Sequence, residues 1–172
     1  MRTSLRGRQF VAQREACVLV PYEDGMSGGA IRYSIGFGGL SSKDAPPISV
    51  EAAWNILGET LKEYEQYVNR HLGGTTLTQQ AFDALVSLYY NTGPGGNKQA
   101  LIALIKAGDV IAAADLLRTF NKNQGKVSAG HTKRRQQERD VFLRGRYGDL
   151  SSILVWHGDP KTTPFERIPM PT

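Results

Sequence analysis

Two acids and a hydroxyl have the types and spacing to do chemistry. Glu15 and Asp24 lie nine residues apart, and Ser34 follows inside Tyr33-Ser34-Ile35-Gly36-Phe37-Gly38. An acid leaving an apolar helix, facing a second acid and a hydroxyl on a glycine-rich hairpin, suits cleavage of a glycosidic bond. One carboxyl must stay protonated to donate to the leaving oxygen, which burial favours. The other must stay ionised to handle water, which an open, polar turn favours. Acid pairs at this spacing are common, and an ordinary surface glutamate at a helix end fits Glu15 as well.

Other signals lead nowhere. Gly93-Pro94-Gly95-Gly96-Asn97-Lys98 lacks the Walker spacing, and no hydroxyl follows Lys98, so it reads as a helix-ending turn. Gly36-Phe37-Gly38-Gly39 does not continue to a third glycine at the dinucleotide spacing. His71, His131 and His157 lie far apart with no cysteine partner, which leaves a metal site unsupported. Cys17, the one cysteine, reads as a small buried hydrophobe rather than a nucleophile.

The acids must be held by elements whose signals are local. Residues 4–15 predict a short amphipathic helix with Ser4 as its cap and Phe10, Val11 and Arg14 at helical spacing. From Pro21 to Ser42, glycines punctuate an alternating run rich in strand formers, which predicts a small hairpin or three-stranded sheet. Ser49 caps a long helix carrying Val50, Ala53, Trp54, Leu57, Leu61, Tyr64 and Val68. Four shorter helices follow: one capped by Thr78, one by Asn97, one by Asp109 and running to Phe120, and a basic one over about Thr132 to Arg144 that stops at Gly145. The segment 147–172 holds Pro160, Pro164, Pro169 and Pro171 and reads as extended chain lying on the body.

The whole chain has 172 residues, of which 40% are hydrophobic and 22% charged, as in ordinary globular domains. That excludes disordered, collagen-like and coiled-coil classes. No apolar run approaches the roughly 18–20 residues of a membrane span, and no export signal is visible. A lone cysteine agrees with folding in a reducing cytoplasm. The net charge is +5, and nine basic residues between Arg118 and Arg146 face only Glu138 and Asp140. This basic stretch is free to face something anionic: nucleic acid, a cell-wall polymer, or solvent alone.

Three blocks of sequence resemble the phage-type lysozymes, the muramidases that include the T-even phage lysozyme and many endolysins. The first runs from Glu15 through Tyr22-Glu23-Asp24-Gly25 to Ser34-Ile35-Gly36-Phe37-Gly38-Gly39. The second is Phe82-Asp83-Ala84-Leu85-Val86-Ser87 through Asn91-Thr92-Gly93. The third joins Ala107-Gly108-Asp109 to Arg134-Arg135, Glu138-Arg139 and Phe142. Together they cover about residues 4–145 in the family's order. Ser34 stands where the family has threonine, Gly39 where it has histidine, and Ala16 where it has glycine. The loop from Asp24 to Ser34 is about four residues longer than in the nearest relatives, and 147–172 has no counterpart in the family core.

The resemblance implies an α+β, mainly helical lysozyme-like fold with a small glycine-rich β lobe. Residues 1–146 would form the catalytic domain, with a β lobe at about 16–48, a linking helix at about 49–72, and a helical lobe at about 75–146 plus helix one. Residues 147–172 would be an extension packed on that body. Glu15 would be the general acid, Asp24 would position or deprotonate the attacking water, and Ser34 would help hold it. Arg134 falls where the family has an arginine paired with the catalytic glutamate; one more solvated cation is the plainer reading. Asn91 resembles a cleft amide available to a sugar N-acetyl group, and equally a helix C-cap.

The implied activity is hydrolysis of the β-1,4 bond between N-acetylmuramic acid and N-acetylglucosamine in peptidoglycan, with inversion and with no metal or organic cofactor. The implied setting is a monomer that accumulates in the host cytoplasm and reaches the wall after a separate holin-type protein permeabilises the membrane. Two readings compete within the family: a lytic transglycosylase using Glu15 alone, and a catalytically weak wall-binding relative. A basic nucleic-acid binder is the reading from another class, but no aromatic-rich strand or recognised basic motif supports it.

Overall fold

A computed structural model describes residues 1–95, 98–123 and 125–172. In chain order its elements are α1 (Leu5–Arg14), β1 (Cys17–Ser27), β2 (Ala30–Gly36), β3 (Gly39–Ser41), α2 (Val50–Leu72), α3 (Gln79–Thr92), α4 (Gln99–Lys106), α5 (Val110–Leu117), β4 (Lys122–Asn123), β5 (Lys126–Val127), α6 (Ala129–Arg144), β6 (Ser152–Trp156) and β7 (Glu166–Pro169). The class is α+β. Among the described residues, no helix is long and apolar enough to cross a membrane. The chain divides into two compact units: Arg8–Thr60 with Asp149–Thr172, and Met1–Gly7 with Leu61–Gly148.

The first of these units is built on a five-stranded sheet in the order β3-β2-β1-β6-β7. β1 and β2 form an antiparallel hairpin in which Ser27 faces Ala30. The two residues between them, Gly28 and Gly29, both have positive φ, as the primed two-residue hairpin turns require. The segment from Asp24 to Ser34, expected as a long loop, is therefore mostly strand. The tight glycine turn lets pairing run to the tip of the hairpin. Register shifts between Val18 and Tyr22 and between Glu23 and Met26 bend β1 on either side of the Tyr22-Glu23 pair.

Beneath the sheet, Phe10, Val11 and Ala12 of α1 and Ala53, Trp54 and Leu57 of α2 are buried. Gly36 has φ +64°, which favours glycine, and a Cβ there would crowd the Ala53 Cβ at 3.2 Å. Phe37 meets Trp54 edge-on at 6.3 Å, and the Arg8 guanidinium lies 3.8 Å over the Trp54 ring. Cys17 is fully buried, which pushes its thiol up to about 12 and leaves it inert.

The C-terminal residues complete this sheet. β6 runs parallel to β1, with Cys17 opposite Val155, and β7 pairs antiparallel with β6. Ile153 and Val155 are buried while their neighbours are half-exposed, the period-two pattern of a strand.

The helical unit packs around α3, which is buried from Ala81 to Tyr89. Thr78 caps α3, Asp109 caps α5 and Ser128 caps α6, each accepting from a backbone N–H three residues on. The last helix thus begins at Ala129, three residues before the expected Thr132, because the Ser128 cap outweighs the helix-weakening Gly130. It ends at Gly145 in the left-handed conformation (φ +63°). α5 stops at Leu117, so Phe120 lies beyond it. Asn97, expected as a cap, lies outside the described residues.

One buried carboxylate ties this unit to its own N-terminus. Asp83 accepts from the Ser4 backbone N–H (3.0 Å), the Ser4 hydroxyl (2.5 Å), Gln79 (2.9 Å) and the Tyr147 hydroxyl (2.6 Å). Ser4 in turn accepts from the Gly7 N–H at 3.0 Å, which makes it the cap of α1. A Cβ at Gly7 would fall 2.4 Å from the Asp83 carboxyl carbon, so glycine alone allows the approach. Burial, reinforced by Asp83, pushes the Tyr147 phenol far above its usual range.

Candidate active site

Glu15 directly follows α1, its backbone N–H donating to Val11 O at 3.2 Å as the helix unwinds. The side chain is half-buried. Asp24 sits on β1, and Ser34 on β2 donates its hydroxyl to Asp24 Oδ2 at 2.9 Å. The Ser34 side chain is buried, so this bond fixes one oxygen of the carboxylate. Arg32 holds the same oxygen: its guanidinium forms an ion pair with Asp24 Oδ2, and its Nε donates to Asp24 O at 3.2 Å. Asp24 remains 36% exposed, which leaves part of it open to water.

Tyr22 links the two acids. Its phenol is pushed up to about 12, first by burial and then by the negative charges of Asp24 and Glu15, with Arg32 and a hydrogen bond with Ser34 working the other way. Both carboxylates therefore act on one ring, together with Ser34 and Arg32. A proton donor at a helix end, an anion clamped by a hydroxyl and a guanidinium, and a neutral phenol among them can protonate a leaving oxygen and orient a water. Arg32 and Tyr22 were absent from the acid-and-hydroxyl reading of the sequence. The available signal was period two on β2, which puts Arg32 on the same face as Ser34.

The other two expected residues, Arg134 and Asn91, belong to the helical unit, where a second charged cluster joins them. Glu138 is fully buried. Its Oε1 accepts from Ser87 Oγ at 2.7 Å, from Arg134 Nε at 3.1 Å and from Arg135 at 2.9 Å, while Arg135 Nε pairs with Oε2 at 2.7 Å. Arg135 also donates to Asn91 Oδ1 at 2.9 Å and to Phe120 O at 3.3 Å. Asn91 is thus not the C-cap of α3, a place taken by Gly93. With its oxygen turned to Arg135, its amide nitrogen is left as the group able to donate elsewhere. Arg134 is buried rather than solvated. The basic stretch accordingly shows less charge than its sequence suggests: Arg134 and Arg135 are interior, whereas Arg118, Lys122, Lys126, Lys133, Arg144 and Arg146 are exposed.

Fold and site together define an α+β protein that holds an acid pair beside a glycine-turned hairpin. The sequence model of the phage lysozyme family matches residues 12–138, and the chain belongs to that family. It is 39% identical over 122 residues to the endolysin of Bacillus phage B103, an alignment covering 69% of this chain and 46% of that protein. The chain spans about half the length of that relative. Among solved structures it is similar to the endolysin from Escherichia coli O157:H7 phage FAHEc1, with a TM-score of 0.73 and 28% identity, covering 87% of this chain and 98% of that one. It is also similar to the muramidase domain of SpmX from Asticaccaulis excentricus, with a TM-score of 0.70 and 26% identity, covering 83% and 97%.

Proposed function

We propose that this chain hydrolyses the β-1,4 bond between N-acetylmuramic acid and N-acetylglucosamine in bacterial peptidoglycan, in the service of host lysis. The observation that carries the reading is the arrangement of Glu15, Asp24 and Ser34 around Tyr22. Glu15, at the end of α1, donates a proton to the leaving oxygen. Asp24, paired with Arg32 and aligned by Ser34, holds and activates water. Two carboxyls supply both functions, so the reaction needs no metal or organic cofactor. Inversion suits an Asp24 tied through Oδ2 to Ser34 and Arg32, because a tethered carboxylate orients a water more readily than it advances on the anomeric carbon.

Arg134 and Asn91 are proposed as supporting residues. Arg134 would partner Glu15, as the resemblance implies, and Asn91 would donate its amide N–H to an N-acetyl carbonyl. The exposed cations of the 118–146 stretch favour approach to an anionic wall polymer. The protein is proposed to act as a monomer and to pass from the host cytoplasm to the wall once a holin-type protein has opened the membrane.

Digestion of purified peptidoglycan, with mass analysis of the products and early-time NMR, tests this reading. Reducing muramic acid ends released first as the α-anomer are expected. Anhydro-muropeptides would replace hydrolysis by transglycosylation with Glu15 alone, and a newly formed β-anomer would exclude inversion.

A further inference from the structure

The β6–β7 hairpin lies outside residues 12–138, the part that matches the family, and none of the roles above falls on it. Two large rings stand at its open end. Trp156 closes β6 and Phe165 precedes β7, their centroids 5.4 Å apart and their planes inclined by 56°. Phe165 is 54% exposed and Trp156 is half-exposed, so a sizeable aromatic surface faces water.

The register places a cation on the same face. Ile153 and Val155 are buried, so Leu154 and Trp156 point to the opposite side of β6. Arg167 stands directly opposite Leu154 and shares that side. Its Nη1 donates to Ser152 Oγ at 3.0 Å, and the Asp149 carboxylate lies within electrostatic reach of the same guanidinium. The backbone positions of Phe165 and Arg167 are one two-residue step apart, about 7 Å, and the guanidinium reaches along that face to Ser152.

The loop that presents the rings is itself pinned. Asp159 O accepts from the Thr162 and Thr163 N–H groups at 3.0 and 2.8 Å, and Asp159 Oδ1 accepts from the Lys161 N–H at 2.8 Å. Gly158 packs against Thr163 so closely that a Cβ would fall 2.5 Å from its hydroxyl oxygen. A platform ordered before binding loses little entropy when a ligand settles on it.

The platform is also continuous with the acid-bearing strand. Trp156 pairs with Val18 of β1 in parallel, and β1 then runs six residues further to Asp24. At strand rise that is at most roughly 20 Å, a span that a few linked sugars bridge.

We propose that Trp156 and Phe165 form a stacking platform for the N-acetylated sugar rings of a glycan strand, and that Arg167 engages a carboxylate carried on that strand. This rests on the reading of the chain as a peptidoglycan enzyme and deepens it with a second contact outside the acid site. The C–H face of a pyranose ring is apolar and slightly positive and complements the negative face of an aromatic ring. A guanidinium fork matches a carboxylate. A glycan bearing lactyl-linked peptides offers both features at once.

The test is co-sedimentation of the full chain with purified peptidoglycan, in a Glu15→Gln background so that the polymer is not consumed. Phe165→Leu keeps an apolar side chain but removes the ring, whereas Phe165→Tyr keeps the ring. Binding roughly tenfold weaker for Phe165→Leu and unchanged for Phe165→Tyr is expected. Arg167→Gln is expected to weaken binding and to flatten its dependence on salt. Unchanged binding for Phe165→Leu, or equal losses for both Phe165 variants, would overturn the platform. Ring-dependent binding to phosphatidylglycerol vesicles instead of peptidoglycan would overturn the choice of a glycan. Ring-dependent sedimentation by a chain whose wild type cleaves no peptidoglycan leaves the platform standing and removes the hydrolase reading. Cleavage with ring-independent binding does the reverse.

Discussion

On the hairpin, Asp24 accepts from Ser34 and pairs with Arg32, yet its side chain stays 36% exposed and that of Arg32 48%. In the helical unit, Glu138 takes two guanidiniums and a hydroxyl with no exposure at all. The residue types are nearly the same, but the two settings suit different work. A carboxylate at the water's edge can align water and exchange partners as substrate arrives, and its ion pair adds little to stability. A carboxylate sealed among arginines is costly to disturb and has no room for water, so it fixes the geometry of the groups around it. On the proposed function, the charge that reacts and the charge that positions differ in exposure rather than in composition.

The largest effect expected from this contrast is at Glu138. Glu138→Ala leaves two guanidiniums with their shared anion removed, and breaking such a buried pair costs about 3–5 kcal/mol. Denaturant unfolding checks this, and a loss below about 1 kcal/mol would mean that the cluster is hydrated after all. Asp83→Ala comes next. It strands the Ser4 and Tyr147 donors in the interior and costs at least about 1–3 kcal/mol, the penalty of one buried unsatisfied group. A lowered Tm with earlier loss of the 1–7 segment to protease is the expected signature.

Alkaline titration sharpens the comparison further. Tyr22 near the acids and Tyr89 in the helical unit are both pushed up to about 12, in each case chiefly by burial. A phenol that ionises near 10 when unfolded and near 12 when folded contributes stability that is complete below pH 10 and lost as the pH rises towards 12. Stability measured from pH 9 to 12 should fall over that interval, and Tyr22→Phe should lessen the fall. The smallest stability effect belongs to Arg32→Ala, within about 1 kcal/mol, because both partners are exposed. Its effect on peptidoglycan clearing should be several-fold, since Asp24 loses half of its clamp. Parallel losses of stability and activity would place Arg32 with the structural charges instead.

How much of this was legible depended on the range of the interaction. The caps Ser4, Ser49, Thr78 and Asp109 are local, each bonding a backbone N–H three residues on, and the sequence pattern locates them. The resemblance carries over to Glu15, Asp24 and Ser34 because its motifs there are short and ordered. Long-range partners were not. Nothing near Asp83 announces Tyr147, 64 residues away, and nothing near Cys17 announces Val155 as its neighbour in the sheet. The prolines of 147–172 mark an extended chain but not its register. In α6, the run Arg134-Arg135 reads as surface charge until Ser87 and Glu138 meet it from two helices. The hairpin was legible from its alternating strand formers and glycines, but not that Gly28 and Gly29 make the tight turn that carries strand pairing to the tip.

The central claim is that Glu15 donates the proton in peptidoglycan cleavage while contributing little to the fold. It is tested most directly by comparing wild-type protein and Glu15→Gln for initial rate on purified peptidoglycan and for Tm. An amide matches the carboxyl in shape but has no proton to give. The account predicts a rate at least about 100-fold lower with Tm essentially unchanged. A Glu15→Gln protein that digests peptidoglycan at near the wild-type rate would contradict it.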